Sequence, residues 1–340
     1  MAFKGLSDYT NKELLAGGTP EEAQLYLAYR KAQLIYGLNT LVFGATTDID
    51  PAGVSGSRIV KVSYIDGLTG ATGRKIGQKG KSVNVVRSTE TVEMSTFNST
   101  FDVDRTQTRT ANENSRVIAD NMNDCTYSVA QLFLQNLFKG KIGDDIGNGV
   151  TLAWNGIDYY FGAGKALHDM DNATPLALPG GVTDQASAIK FGTHLGNSIN
   201  KMGVNTFTEV WTTSAGLSQI QAYNLITNAG IRYVKVGDTE YMEFMGKRVV
   251  AVPDSYFDST LLTKGIPFYF IRSVKDKTGF AVITLDGKIF DPLVPKLLFN
   301  NDRVEQGSNE MTCVPVPCTT ECVARCLVST AVAVAADTKG

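Results

Sequence analysis

The chain has 340 residues, of which 43% are hydrophobic and 19% are charged, and its formal net charge is −2 at pH 7. This composition is typical of a globular protein with one large or two moderate hydrophobic cores, and it argues against a general nucleic-acid or membrane-surface binder. The opening segment lacks an apolar stretch of signal-peptide length, and the longest apolar run near the end is too short to span a bilayer. We therefore expect the chain to fold in the cytoplasm, where thiols are reduced.

The N-terminal segment predicts an arm that ends in a helix. Residues 1–18 are polar and contain glycine, which is typical of a flexible terminus. Thr19 is a favourable N-cap, Pro20 suits the first helical position, and Glu22 completes a capping box. Apolar residues then recur at helical spacing, so the sequence predicts a helix from Thr19 to Tyr36.

The segment from Arg58 to Thr110 predicts a long two-stranded ribbon. Two stretches of alternating β-branched residues flank a glycine-rich middle, and Asp66 is the single acid among seven bases between Arg58 and Arg87. A two-stranded ribbon cannot bury both of its faces, so we expect it to lie on another surface. The residues that we assign to this inter-subunit contact are Arg74, Lys75, Lys79, Lys81 and Arg87.

The rest of the chain predicts a mixture of helices and strands. Apolar residues that recur every three or four positions predict a long helix over Asn114–Lys139. A loop-rich segment follows over 140–182. A second helix is predicted over Asp184–Met202, with Ile189 among the apolar residues on its buried face. The later segments predict a strand (TFTEVWTT), a helix (SAGLSQIQAYNLIT) and further strands (YVKV, EYMEFMGKRVVAVPD, IPFYFIRSV, TGFAVITLDG and CVARCLVSTAVAVAA). This order predicts an α+β fold.

Motifs for catalysis and for ligand binding fail at the positions that the chemistry needs. The GKS of Gly80–Ser82 has Lys75 where a phosphate-binding loop requires glycine, and the acids of Asp48–Gly53 lack the later ligands of a calcium loop. No G-x-S-x-G motif occurs. His168 and His194, the only histidines, lie in no motif and are interpreted as surface or hydrogen-bonded interior residues. We therefore expect no catalytic residue, cofactor or metal.

Four of the five cysteines form a cluster near the end of the chain: Cys313, Cys318, Cys322 and Cys326. Structural zinc sites favour two cysteine pairs separated by a longer insert, which this segment lacks. If a strand begins near Thr320, Cys322 and Cys326 lie on one face about 13 Å apart, too far to bond to each other. Three hypotheses remain: small buried hydrophobic side chains, disulfides to a neighbouring strand or chain, or a metal site.

The order of these elements resembles that of the major capsid proteins of tailed bacteriophages, whose shell fold is shared with encapsulins. The helix Thr19–Tyr36 resembles the family's N-terminal arm, and the basic ribbon resembles the extended loop that lies over an adjacent subunit. The helix Asn114–Lys139, followed by Asn155-Gly156-Ile157, resembles the spine helix and the glycine-rich loop after it. The segments FTEVWTTSAGLSQIQ, MEFMGKRVVAVPD, GIPFYFIRSV and VARCLVSTAVAVA resemble the later strands in the same order. The cysteine cluster departs from the family's pattern and suggests a stabilisation specific to this lineage, in which thiols oxidise after release from the cell.

The resemblance implies a tailed-phage major capsid fold in four parts. These are an N-terminal arm (1–55), an extended β-ribbon loop (56–111), a peripheral domain with the spine helix (112–182 and 320–340) and an axial mixed α/β domain (183–319). It also implies a non-enzymatic subunit that self-assembles through hexamers and pentamers into an icosahedral virion capsid in the host cytoplasm. The implied partners are scaffolding and portal proteins and packaged double-stranded DNA, bound without sequence specificity. The alternatives are an encapsulin-like compartment with protein cargo, another virion structural protein or β-rich adhesin, and a hydrolase.

Overall fold

A computed structural model describes residues 38, 40–49, 57–68, 85–104, 111–203, 207–236, 239–274, 279–285, 287–298 and 301–331. The predicted arm helix, Thr19–Tyr36, lies outside the described residues. So do Arg74, Lys75, Lys79 and Lys81 of the predicted contact. None of the helices in the described ranges is long and apolar enough to cross a membrane.

The described helices are α1 (Thr46–Ile49), α2 (Ala111–Leu137), α3 (Ile157–Tyr160), α4 (Gln185–Lys201), α5 (Ser214–Ile226) and α6 (Ser259–Leu262). The first eight strands are β1 (Phe43–Ala45), β2 (Ile59–Leu68), β3 (Val85–Glu93), β4 (Ser95–Asp104), β5 (Asp145–Gly147), β6 (Val150–Thr151), β7 (Asp171–Ala177) and β8 (Glu209–Thr213). The later strands are β9 (Tyr233–Val236), β10 (Thr239–Phe244), β11 (Lys247–Val252), β12 (Ile266–Ile271), β13 (Phe280–Thr284), β14 (Asp291–Leu298), β15 (Asn301–Pro317) and β16 (Val323–Ser329). This α+β content agrees with the predicted class.

The larger sheet has seven strands in the order β7-β16-β12-β8-β11-β10-β9. The pairs β8–β11 and β7–β16 are parallel, and the other neighbours are antiparallel. Met245 and Gly246 join β10 to β11 with φ angles of 51° and 78°, as a tight hairpin turn with two left-handed residues requires. The strands predicted within 207–274 are therefore confirmed. The β-branched and aromatic residues of β8 and β12 are buried along nearly the whole of each strand, as expected for the centre of a sheet that is covered on both faces.

One face of the seven-stranded sheet is covered by α4 and α5. Asp184 caps α4 by accepting a hydrogen bond from the Ser187 N–H at 2.7 Å, which confirms the predicted start of this helix. The prediction that Ile189 belongs to the buried face is wrong, since its side chain is 58% exposed. Ile189 is six residues before the buried Leu195, and at about 100° per residue the two point in directions about 120° apart.

The smaller sheet has five strands and packs against the long helix α2. Its order is β1-β13-β15-β14, and β4 pairs with β15 along the opposite edge. The predicted apolar stripe of α2 is confirmed, because its central members are buried against this sheet: Met122, Cys125, Val129, Phe133 and Leu137. The helix begins at Ala111, three residues before the predicted start.

The ribbon is shorter than the sequence predicts. β2 pairs with β3 from Ile59↔Glu93 to Leu68↔Val85, but β4 leaves the ribbon after Met94 and pairs with β15 instead. Met94, Phe97 and Val103 are buried in the core, and this burial draws β4 into the smaller sheet. The prediction of one ribbon over Arg58–Thr110 is therefore wrong in its second half.

The last described strand lies in the larger sheet. β16 pairs with β12 from Ile266↔Val328 to Ile271↔Val323, and β7 lies parallel on its other side. Residues 320–340 were predicted to lie with the long helix, whereas β15 is a late strand that contacts α2. The apolar residues of β16 suit a strand with neighbours on both edges and both faces covered. The boundaries of the four-part division stay a prediction.

Candidate assembly surfaces and buried charge centres

The root of the ribbon is buried on one side only. Val60, Val62 and Val92 belong to the main hydrophobic cluster, whereas Ile59 is 56% exposed. The Met94 N–H donates to the Arg58 carbonyl at 2.8 Å, where the ribbon joins β4. Of the predicted contact residues, the structure places Arg87 in β3, opposite Ile65 of β2. The ribbon is thus anchored at its base.

The solvent face of α2 between Val117 and Leu137 is acidic; Glu113 and Arg116 precede this stretch in the same helix. Asp120 and Asp124 are exposed on it, together with Val117 and Tyr127. Between Val117 and Leu137 the helix has these two acids and no lysine or arginine. This face, the α2 acidic face, therefore has the charge opposite to that of the ribbon.

A group of exposed apolar side chains lies at one end of the larger sheet. Glu243 holds this end together, because its N–H donates to the Arg232 carbonyl at 2.8 Å and its carbonyl accepts from Nδ2 of Asn224 at 3.1 Å. The exposed members, which we call the rim patch, are Leu225, Ile231, Tyr233 and Met245. Large apolar side chains grouped in this way mark an interaction surface more often than scattered ones do.

The four clustered cysteines are buried free thiols, as is Cys125. Cys313, Cys318 and Cys322 belong to the hydrophobic cluster that α2 shares, and Cys326 belongs to the cluster under α4. The prediction that Cys322 and Cys326 share one strand face is wrong. The two side chains lie in different hydrophobic clusters, and β16 begins at Val323, one residue after Cys322. Burial raises the pKa of Cys322 and of Cys326 to about 12. In this state the thiols act as small hydrophobic side chains. The described residues contain no group of three or more metal-ligating side chains.

Both histidines contact backbone carbonyls. Nε2 of His194 donates to the Leu327 carbonyl at 3.0 Å and so ties α4 to β16. Burial lowers the pKa of His194, so the neutral ring is favoured. Nδ1 of His168 lies 3.4 Å from the Phe161 carbonyl. The structure thus places both side chains in local hydrogen-bonded contacts, as the sequence analysis interpreted them.

Sequence reasoning missed a buried charge centre around Arg325. Its guanidinium donates to both carboxylate oxygens of Asp171, at 2.9 and 2.7 Å, and to Oδ1 of Asp158 at 2.8 Å. The guanidinium also lies 4.4 Å from the centre of the Phe161 ring. Burial raises the pKa of Asp158, although the charge of Arg325 and a hydrogen bond from Tyr269 lower it. The sequence does indicate a buried charge here, because one arginine interrupts the apolar segment VARCLV.

A second buried charge lies on β8. Glu209 is 0% exposed, and its Oε2 accepts from Nε of Arg248 on β11 at 3.1 Å. Nη2 of Arg248 donates to the Thr40 carbonyl at 3.2 Å. Burial raises the pKa of Glu209 to about 7, while the charge of Arg248 lowers it. Oε1 of Glu209 and Nε1 of Trp211 are buried without a hydrogen-bond partner among the described residues. Sequence reasoning missed this centre too, although a single acid in the strand TFTEVWTT was visible.

Solved structures of other proteins share this arrangement of sheets and helices. The chain is similar to an encapsulin complex from Synechococcus elongatus, with a TM-score of 0.52 and 9% identity over 95% of this chain and 91% of that chain. The chain has the shell fold. No family model matches the sequence, and no curated protein matches it significantly.

Two further solved structures are similar to the chain at lower TM-scores. One from Mycobacterium phage Bobi gives 0.48 with 9% identity, over 94% of this chain and 95% of that chain. The capsid of a native gene transfer agent particle gives 0.48 with 11% identity, over 96% of each chain.

The shell fold confirms the predicted fold class, a tailed-phage major capsid fold shared with encapsulins. Arg325 and Glu209 hold strands and helices together within the subunit. Exposed side chains lie at the root of the ribbon, on the α2 acidic face and in the rim patch.

Proposed function

We propose that this chain is the structural subunit of a closed icosahedral shell, built from many copies of itself, and that it is not an enzyme. The observation that carries this proposal is the extent of the structural similarity, since the shell fold covers 95% of the chain and 91% of the encapsulin subunit. The failed catalytic motifs agree with a structural role.

In our proposal, the ribbon of one copy lies on the α2 acidic face of the next. Arg74, Lys75, Lys79, Lys81 and Arg87 supply the positive charge. Asp120 and Asp124 supply the negative charge on the receiving helix. Complementary charges of this kind set register and partner choice more than affinity. The rim patch would supply apolar burial in a second contact.

This contact joins different surfaces of identical chains. Heterologous contacts between identical subunits close into rings when the rotation between them allows it. Hexamers and pentamers are the rings that an icosahedral shell requires, so we propose them as the assembly units. Scaffolding and portal proteins would be further partners during assembly in the host cytoplasm.

Two kinds of content fit such a shell. The first is the double-stranded DNA of a tailed phage, in which case the chain is a major capsid protein of the virion. A net charge of −2 suits a wall that must not grip its DNA. The second is protein cargo in an encapsulin-like compartment, which is favoured by the encapsulin similarity.

Electron microscopy of the full chain expressed alone, with light scattering on the same sample, tests the proposal. We expect closed shells, or discrete hexamers and pentamers. A chain that stays monomeric at high concentration and with a crowding agent overturns the proposal. The ratio of ultraviolet absorbance at 260 and 280 nm, before and after nuclease treatment, then separates nucleic-acid contents from protein cargo.

A further inference from the structure

We propose that the tip of the β5–β6 hairpin is a self-modifying site, at which Asn148 converts to aspartate or isoaspartate through attack by the backbone nitrogen of Gly149. The reaction needs water and no enzyme. It is a property of the single subunit and goes beyond the proposed function. The inference rests on a contrast between the two Asn-Gly pairs of the chain, Asn148-Gly149 and Asn155-Gly156.

The modification has two steps. In the first, the Gly149 nitrogen loses its proton and bonds to Cγ of Asn148, and the side-chain nitrogen of Asn148 leaves as ammonia. In the second, water adds to one carbonyl of the resulting cyclic imide and opens the ring. Opening at the side-chain carbonyl gives aspartate, whereas opening at the main-chain carbonyl gives isoaspartate, in which the main chain runs through Cγ. Either product carries a new carboxylate.

The hairpin tip leaves the attacking nitrogen accessible. Asn148 and Gly149 are the turn of the hairpin, with φ angles of 54° and 74°, and both are exposed. Gly147 pairs with Val150 on either side of them, so the Gly149 N–H lies outside the ladder. Glycine has no Cβ to hinder the approach of its nitrogen to Cγ. A Cβ placed on Gly149 would meet no atom within 4 Å, so open space surrounds the tip.

The hairpin can also reach the geometry of ring closure at low cost. Ring closure requires rotation of the bond between Cα and the carbonyl carbon of Asn148, which distorts the turn. β5 has three residues, β6 has two, and the two strands pair only with each other. A two-stranded hairpin is marginally stable by itself, and segments with few buried contacts open most often. Opening of this tip therefore breaks few interactions.

The second Asn-Gly pair is held closed. The Gly156 N–H donates to the Gly140 carbonyl at 2.8 Å, so its proton is engaged. Oδ1 of Asn155 accepts from the Ile142 N–H at 3.1 Å, which fixes the side chain. Gly156 is buried, and a Cβ there would lie 2.5 Å from the Phe138 carbonyl oxygen, so the backbone has no room to rotate. The same two residues are therefore protected in one place and reactive in the other.

The product adds charge to a hairpin that is already acidic. Asp144 and Asp145 are exposed in it, so a carboxylate at Asn148 is the third between positions 144 and 148. Isoaspartate also lengthens the main chain of a turn that fixes the register of the hairpin. In a shell, each copy would gain this charge as the particle ages, and this consequence alone rests on the proposed function.

Timed peptide mass spectrometry on the unassembled full-length chain tests the site. The folded protein is kept at mildly alkaline pH in heavy-oxygen water, so that each imide opening adds one heavy oxygen. Chymotrypsin then cuts after Trp154 and separates the two asparagines. We expect the Asn148 peptide to gain the label at least about tenfold faster than the Asn155 peptide, since a buried hydrogen bond and close packing must first be broken at Asn155.

The same chain in denaturant is the reference, because there the two asparagines should react alike and give isoaspartate. Equal labelling of the two peptides in the folded chain overturns the proposal. Labelling at Asn148 that appears only in denaturant overturns it as well.

Two variants make the test specific. Gly149→Ala puts a Cβ beside the attacking nitrogen, where there is space for it, and should slow labelling at Asn148 about tenfold. Asn148→Gln keeps an amide but needs a larger ring, so labelling at this position should be lost while slow labelling at Asn155 is unchanged. An unchanged rate in Gly149→Ala would contradict attack by the Gly149 nitrogen. Because no assembly is needed, failure of this site and failure of the shell proposal are separate results.

Discussion

The Tyr269 hydroxyl donates to Oδ1 of Asp158 at 2.6 Å and so joins β12 of the larger sheet to α3, the short helix that follows the long helix α2. The same oxygen accepts from Arg325 of β16, which also binds Asp171. Phe138, just beyond the end of α2, packs on the Tyr269 ring with 4.7 Å between ring centres. The end of α2 and the larger sheet are therefore fastened at one polar and aromatic junction.

Asp158→Asn tests this junction. The amide can still accept from Tyr269, but it removes one of the two carboxylates that balance the buried Arg325. We expect unfolding in urea near pH 7 to show a loss of about 1–3 kcal/mol in the free energy of unfolding. Asp102→Asn, at an exposed position of β4, should change it by less than about 0.5 kcal/mol. A loss in Asp158→Asn no larger than in this control would show that Arg325 is satisfied by Asp171 alone.

The raised pKa of Glu209 predicts a characteristic pH dependence of stability. Its folded-state pKa of about 7 exceeds the ordinary 4.5, so its ionised form destabilises the fold above pH 7, and this effect disappears as pH falls toward 4.5. Relative to Glu209→Gln, wild type should gain about 2–3 kcal/mol between about pH 8 and pH 5. Urea unfolding of both proteins across this range measures the difference. A constant difference would mean that Glu209 has an ordinary pKa.

The proposed contact between ribbon and long helix predicts a salt-sensitive assembly. The double change Asp120→Asn with Asp124→Asn should raise the concentration needed for assembly several-fold and weaken its dependence on salt, since exposed charge pairs are screened. Lys79→Gln with Lys81→Gln should act in the same direction. Light scattering against protein concentration measures both effects.

A matched control for this assembly assay is Glu240→Gln with Glu321→Gln, which removes two exposed acids elsewhere. It should assemble as wild type does. If the control weakens assembly as much as the change on α2, net charge is responsible and the proposed contact is wrong. If the lysine and aspartate changes add fully when they are combined, the two groups do not meet.

The buried cysteines predict slow thiol chemistry. Burial raises the pKa of Cys322 and Cys326 to about 12 and that of Cys313 above its ordinary value, so the reactive thiolate is scarce. We expect a thiol reagent to modify the folded protein slowly and to find five free thiols after denaturation. Non-reducing gels of purified shells test the disulfide hypothesis, and a band that shifts with reductant would establish it.

The parts of the fold that were predicted correctly are those with a strong local pattern. The apolar stripe of α2, the bounds of α4 and the apolar strands β8, β12 and β13 are all visible within short windows of sequence. β14 and β15 were not predicted. The first part of β15, NDRVEQGSNE, is polar on both faces: Glu310 accepts a hydrogen bond from Asn98 of β4, and the adjacent Asn309 donates to Thr126 of α2.

The charge centres could not be predicted for a different reason. Arg325 and Asp171 are 154 positions apart, and Arg248 and Glu209 are 39 apart. A single charge in an apolar strand indicates that a partner exists, but only the strand order of the sheet identifies it. The order in which β16 lies beside β7 and β12, and β8 beside β11, carries that information.

The ladder between β4 and β15 makes the subunit resistant to a pull on its ribbon. β4 follows β3 after the single residue Met94, and it pairs with β15 over ten consecutive residue pairs, from Val304↔Asp104 to Cys313↔Ser95. These hydrogen bonds run across the strands, so a force along β4 loads them together in shear. Tension from a neighbour that holds the ribbon would then pass through β15 into β13. The ribbon root is therefore a mechanical anchor as well as a point of attachment.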